Sequence, residues 1–239
     1  MRGETALPRW PAATFGAVLS VLVLLGGILT PPAQQWYFGG QLTRLELATT
    51  RISDPLTANT LQWTLTSPDA DATKSVSFTP SGYVFSSDTC CNTGSLIPQL
   101  LHDGLVEVTV HQQVDFDLSD AGILFRAKSG SNTALAFTIT PNGEWRLDLL
   151  PKQGDGSVSD YRSLRYEGVI GGIAAIHQGL DATNRLAVLM QGSSLTFFVN
   201  GQVVGRYVGN DVPQSGQVGV YTNGYENTVT FSDLLIAPS

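Results

Sequence analysis

At 239 residues, 42% of them hydrophobic, the chain is long enough to bury one large core. Its net charge is −7 and it has no run of Lys or Arg, which argues against a nucleic-acid partner because phosphate binding needs clustered cations. Only 14% of residues are charged and 25 are glycine, the composition of many short strands joined by turns rather than of long solvated helices.

Residues 12–30 carry no charge, and that length crosses a hydrocarbon core. Arg2 and Arg9 precede the stretch and no basic residue follows until Arg44, so the positive-inside rule puts the N-terminus in the cytoplasm and the rest outside. Trp10 on one side and Trp36, Tyr37 and Phe38 on the other suit interfacial belts. A cleaved signal peptide is the alternative. It is disfavoured because Ala33, the best small residue for cleavage, follows two prolines. The expected organisation is a cytoplasmic tail over 1–11, a membrane anchor over 12–30, a linker over 31–41 and one domain over 42–239.

Leu42–Arg51 is the first expected strand, and Leu61–Thr66 alternates around Trp63. Ser75–Thr79 and Tyr83–Ser86 read as two short strands across Pro80-Ser81-Gly82. Cys90 and Cys91 are adjacent in the next loop. Neighbours sit closer than ordinary disulfide geometry wants, so a strained vicinal bridge and two free thiols both remain open. No second pair or nearby His completes a zinc set. Ser95–Leu101 is ambiguous.

From Leu105 to Val114 the alternation is strong. It is cleanest in a hairpin: Ala121–Ala127, then Leu135, Phe137 and Ile139 alternating with Ala136 and Thr138. After Pro141-Asn142-Gly143, Trp145, Leu147 and Leu149 alternate with Glu144, Arg146 and Asp148. One face should be buried and the other wet. A Gly-rich loop follows, then strands at Tyr161–Tyr166, Arg185–Gln191, Leu195–Val199, Gln202–Val208, Gln217–Thr222 and Thr228–Ile236. Gly168–Gly179 reads as a buried loop or a short turn of helix, and Asn200-Gly201 as a two-residue hairpin turn.

These elements define an all-β, antiparallel two-sheet sandwich, and the resemblance carried by their order makes it a jelly roll. Leu105–Val110, Ala121–Ala127, Pro141–Leu147, Thr183–Leu186, Leu195–Gly201, Ser215–Val220 and Val229–Asp233 recur in an order that resembles the concanavalin A-like lectin/glucanase superfamily, in particular the laminin G-like jelly rolls of bacterial extracytoplasmic proteins. The resemblance implies that the first and last strands pair, joining Leu42–Arg51 to Thr228–Ile236. Glucanases of that superfamily carry a Glu-x-Asp-x-Glu strand whose carboxylates act as nucleophile and acid. No such pattern occurs here. Glu144 and Asp148 share a face with Arg146 between them, which reads as a solvated charge row. Gly-x-Ser-x-Gly and His-Glu-x-x-His are absent, and His102, His111 and His177 are isolated.

The reading is therefore a non-catalytic module, single-pass in the cell membrane with its domain outside the cytoplasm. It would bind a surface glycan or serve as a structural subunit among membrane or surface proteins. Candidate ligand-binding residues are Arg126, Arg146, Asp148, Tyr161 and Tyr166, which would offer aromatic and polar groups to a sugar. Asp115, Asp117 and Asp120 form a candidate calcium loop, since closely spaced oxygens suit that ion.

Overall fold

The computed structural model describes residues 31–65, 74–87, 93–114, 119–128, 133–150, 162–167, 172–179, 181–210, 212–224 and 227–239. The 12–30 span, Cys90, Cys91, Asp115, Asp117 and Tyr161 lie outside these. Among the described residues no helix is long and apolar enough to cross a membrane.

The described residues open with helix α1 (Pro31–Glu46), followed by β1 (Ile52–Asp54), β2 (Thr64–Leu65), β3 (Lys74–Thr79), β4 (Gly82–Ser87), β5 (Thr93–Leu101), β6 (Gly104–Val114), β7 (Asp120–Lys128) and β8 (Thr133–Ile139). Then come β9 (Trp145–Leu150), β10 (Arg162–Glu167), β11 (Ala182–Gln191), β12 (Ser194–Val199), β13 (Gln202–Val208), β14 (Gly216–Asn223) and β15 (Asn227–Pro238). Two antiparallel sheets result. The first runs β13-β12-β11-β6-β15-β4-β3, with β1 also on β15, and the second runs β10-β9-β8-β7-β14-β5-β2.

Between the sheets lies one core. Phe137, Trp145 and Phe197 meet there, with Phe137–Phe197 centroids 4.9 Å apart and Trp145–Phe197 5.3 Å apart. Edge-to-face and tilted ring pairs of this kind add to the area they bury. Gly205 on β13 faces the same indole. A Cβ built there would lie 2.2 Å from Trp145 Cζ2, and Trp145 is fully buried with no room to yield. Gly205→Ala is therefore expected to cost about 2–3 kcal/mol by overpacking, read from the urea midpoint; a cost under ~0.5 kcal/mol would contradict this packing.

The expected pairing of first and last strands occurs later in the chain than the sequence suggested. Ile52–Asp54, not Leu42–Arg51, pairs with Ile236–Leu234. The linker expected over 31–41 and residues 42–46 of the strand expected at 42–51 are α1, and residues 47–51 form no strand. Phe38 and Leu42, four apart, are the helix's buried residues, and they pack on Leu105, Ala187, Leu189, Phe198 and Ala237 on the outer face of the first sheet. Pro31 and Pro32 suit a first helical turn, where the missing N–H costs nothing. Polar contacts fix the helix as well. Gln35 Nε2 donates to Gly201 O (2.9 Å) while its Oε1 accepts from Val203 N (2.7 Å). The Arg206 guanidinium lies 4.5 Å from the Phe38 ring centre. The strand at Leu61–Thr66 shrinks to Thr64–Leu65, because Gln62 takes a φ of 58° and breaks the alternation.

The hairpin turns form as the sequence suggests. Asn200 and Gly201 both have positive φ (51° and 77°), the requirement of a type I′ turn. Asn200 Nδ2 also donates to Ala175 O (2.9 Å), and Asn184 grips His177 through both its amide atoms, so two asparagines pin the loop at 172–179, which buries only Ala175 and Ile176 rather than its whole length.

Candidate functional site

On β9 the core takes Trp145 and Leu147, so Arg146 and Asp148 must face outward. Pairing extends that alternation into two rows across the outer face of the second sheet. One row is Tyr166, Arg146, Thr138, Gly122, Tyr221 and Gly94. The neighbouring row is Ser163, Asp148, Ala136, Leu124, Gly219 and Leu96. Gly122 and Gly219 are required by their own sheet, since a Cβ would run to 2.0 Å from Phe137 O and 1.9 Å from Ser95 O.

This face is not wet, as the hairpin's alternation implied. Leu124, Ala127, Ala134, Ala136 and Tyr221 form a buried apolar cluster, with Leu96 and Leu150 packed against it. Beside the cluster sits a polar group. Arg146 Nη1 lies 3.6 Å from Asp120 Oδ2, and Nη2 lies 3.9 Å from Glu144 Oε2. Asn223, in register with Asp120, hydrogen-bonds its carboxylate, and Ser163 does the same for Asp148. The row of Glu144, Arg146 and Asp148 is therefore a partly buried network rather than a solvated charge row: Asp148 is only 7% exposed.

Three oxygens here, Asp120 Oδ1, Thr138 Oγ1 and Asp148 Oδ1, are buried and find no hydrogen-bond partner among the described residues. Buried polar atoms normally have partners, and an unpaired one costs about 1–3 kcal/mol. Burial raises the pKa of Asp148, with Ser163 and Arg146 opposing. Burial also pushes Asp120 up to about 7, with Arg146 opposing and Asp148 reinforcing.

A second carboxylate behaves likewise under α1. Glu107 on β6 hydrogen-bonds Glu46 of the helix, and Arg185 Nη1 lies 3.4 Å from Glu46 Oε1 and 3.6 Å from Glu107 Oε1. Burial first, against Arg185, and then the Glu46 charge push Glu107 up to about 7. Both acids hold their proton in the fold more tightly than in the unfolded chain. Their contribution is thus fully present below the unfolded value near 4 and is lost as pH rises through about 7. Thermal stability should fall between pH 5 and 8, by up to roughly 1.4 kcal/mol per pH unit for each group. A melting temperature that climbs over that range would contradict these placements.

The other residues singled out by sequence fall elsewhere. Arg126 does not join the site. It is fully buried, at a φ of 52° in an irregularity of β7, and donates to Pro213 O (3.0 Å) and Gly192 O (2.5 Å). That is a clamp from the second sheet to the β11–β12 turn of the first. Tyr166 falls on edge strand β10 in register with Arg146. Asp120 turns its carboxylate to Arg146 and Asn223, and its calcium-loop companions Asp115 and Asp117 lie outside the described residues. Thr138 and Asn223 were missed by sequence reasoning; Thr138 sits opposite Arg146 in the hairpin, a register the Pro141–Gly143 turn could have supplied. A small cleft lined by Ser86, Thr93, Thr222 and Asn227 adjoins Asp120: Thr222 Oγ1 donates to Asp120 O (3.2 Å) and accepts from Asn227 Nδ2 (2.6 Å).

Two stacked sheets with this strand order define the class: the chain has the concanavalin A-like fold. Similar solved structures include the carbohydrate-binding module CBM66 from Bacillus subtilis, at TM-score 0.57 and 11% identity over 73% of this chain and 95% of that one. A Bacillus licheniformis β-glucanase aligns at TM-score 0.53 and 14% identity, over 80% of this chain and all (100%) of the other. Crh5 transglycosylase in complex with NAG aligns at TM-score 0.54 and 12% identity, over 81% and 86%. A binding module and two enzymes thus share the architecture, and fold alone does not choose between them. No protein-family model matches the sequence, and no curated protein matches it either.

Proposed function

We propose that this chain is a membrane-anchored, extracytoplasmic, non-catalytic module that binds a hydroxyl-rich glycan on the outer face of its second sheet. The observation that carries the reading is the polar corner in which Asp120, Thr138 and Asp148 gather around the Arg146 guanidinium, whose side chain keeps 21% of its surface exposed. Sugar hydroxyls donate and accept at such groups, and Tyr166 stands in register with Arg146 on the neighbouring strand. The fold likeness to a carbohydrate-binding module supports the same ligand class. Non-catalysis is supported by Arg146, which stands between Glu144 and Asp148 on the strand and pairs with Glu144 and Asp120, leaving no Glu-x-Asp-x-Glu set. The anchor is the uncharged stretch at 12–30.

The test is a glycan array probed with the detergent-solubilised full chain. Binding to oligosaccharides without release of reducing ends is the expected result. Turnover abolished by Asp148→Asn would replace the module with an enzyme. No array binding, together with isolation in a larger assembly in mild detergent, would favour a structural subunit of a membrane complex.

A further inference from the structure

Helix α1 has two sides. Phe38 and Leu42 face the first sheet. The opposite stripe, three and four residues apart, is Trp36, Gly40, Thr43 and Leu47 at its end, all exposed. Trp36 is 69% exposed and Leu47 73%, two of the four large hydrophobic side chains most open to solvent among the described residues. A helix face turned to water normally carries charges of both signs. This one carries none, and the neighbouring exposed charge is a cation, Arg44. The uncharged stretch 12–30 ends at the residue before the helix begins.

We infer that the outward stripe of α1 lies on the lipid bilayer, with Trp36 and Leu47 in the interface and Arg44 at the headgroups. An amphipathic surface with Trp and Leu on one side and a basic residue beside them is the chemistry that seats a helix in that plane. Helix α1 is bolted to the first sheet through Gln35, Phe38 and Leu42, so the seat orients the whole sandwich. The first sheet faces the membrane. The second sheet, with the Arg146 and Asp148 corner, faces away from it. This orientation rests on the anchor proposed above.

The test uses the full chain in liposomes of phosphatidylcholine and phosphatidylglycerol, with and without chain-brominated phosphatidylcholine. Trp36→Phe is mild at so exposed a position, and the wild-type emission minus that of the variant isolates Trp36 from Trp10, Trp63 and Trp145. Flotation with the liposomes after an alkaline wash, with loss of most of the Trp36 emission to bromine, is the expected result. Protein that floats while Trp36 stays unquenched by lipid overturns the inference and leaves the anchor standing. If Trp36 is then also shielded from acrylamide, a second copy covers the stripe. Protein that fails to float overturns both.

Discussion

Arg126→Ala is expected to destabilise the fold by about 3–5 kcal/mol, the cost of removing one partner from a buried charged network. The guanidinium is fully buried and serves two backbone carbonyls, those of Gly192 and Pro213, with Asp103 Oδ1 3.8 Å away. Asp103 in turn accepts from Gly192 N (2.7 Å), so one arginine and one aspartate hold both polar atoms of a turn that belongs to the opposite sheet. Alanine leaves the carbonyls unpaired and opens a cavity. Methionine would refill the volume and leave the carbonyls unpaired, so it should recover only part of the loss. Asp103 is one-third exposed, and Asp103→Asn should cost under ~1 kcal/mol, because water replaces what the carboxylate supplies. Guanidinium denaturation with an unchanged slope reads all three. Arg126→Ala within ~1 kcal/mol of wild type would mean that the clamp does not hold the sheets.

The second large effect is on binding. Asp148→Asn and Asp120→Asn are each expected to weaken an array-selected oligosaccharide roughly tenfold to a hundredfold, the worth of one hydrogen bond to a charged group. Neither should destabilise the protein at pH 8. Burial raises the pKa of both acids, so the fold resists their ionisation, and the amide removes a charge it tolerates poorly. Lost affinity with equal or higher melting temperature separates a ligand-binding carboxylate from a structural one. A variant that melts lower and binds normally would assign Asp148 to the framework.

Much of the sandwich was legible because two-residue alternation is a direct print of burial. β6, β8, β9 and β12 each place every second large side chain in one core. Elements whose burial has another origin were not legible. In α1, Leu45 and Leu47 mimic a strand, while the deciding pair is Phe38 and Leu42 at helical spacing, and Gly39-Gly40 weakens the local propensity that tertiary packing overrides. The outer face of the second sheet was expected to be wet because Ala136 and Thr138 are small or polar, yet they are buried there next to Leu124 and Tyr221, which reach that face from other strands. The site was half legible. Arg146 and Asp148 stand out by alternation. Asp120 does not, because only the pairing of β7, β8 and β9 brings it to Arg146. Arg126 was misplaced because a positive φ inside a strand turns a side chain to the other face, and nothing in Phe125-Arg126-Ala127 announces it.

Hydrogen exchange of the full chain, with and without the strongest array oligosaccharide, shows whether the second sheet's outer face takes the ligand. Added protection is expected at residues 120–124, 136–138 and 145–148. Protection confined to α1 and the first sheet would contradict it.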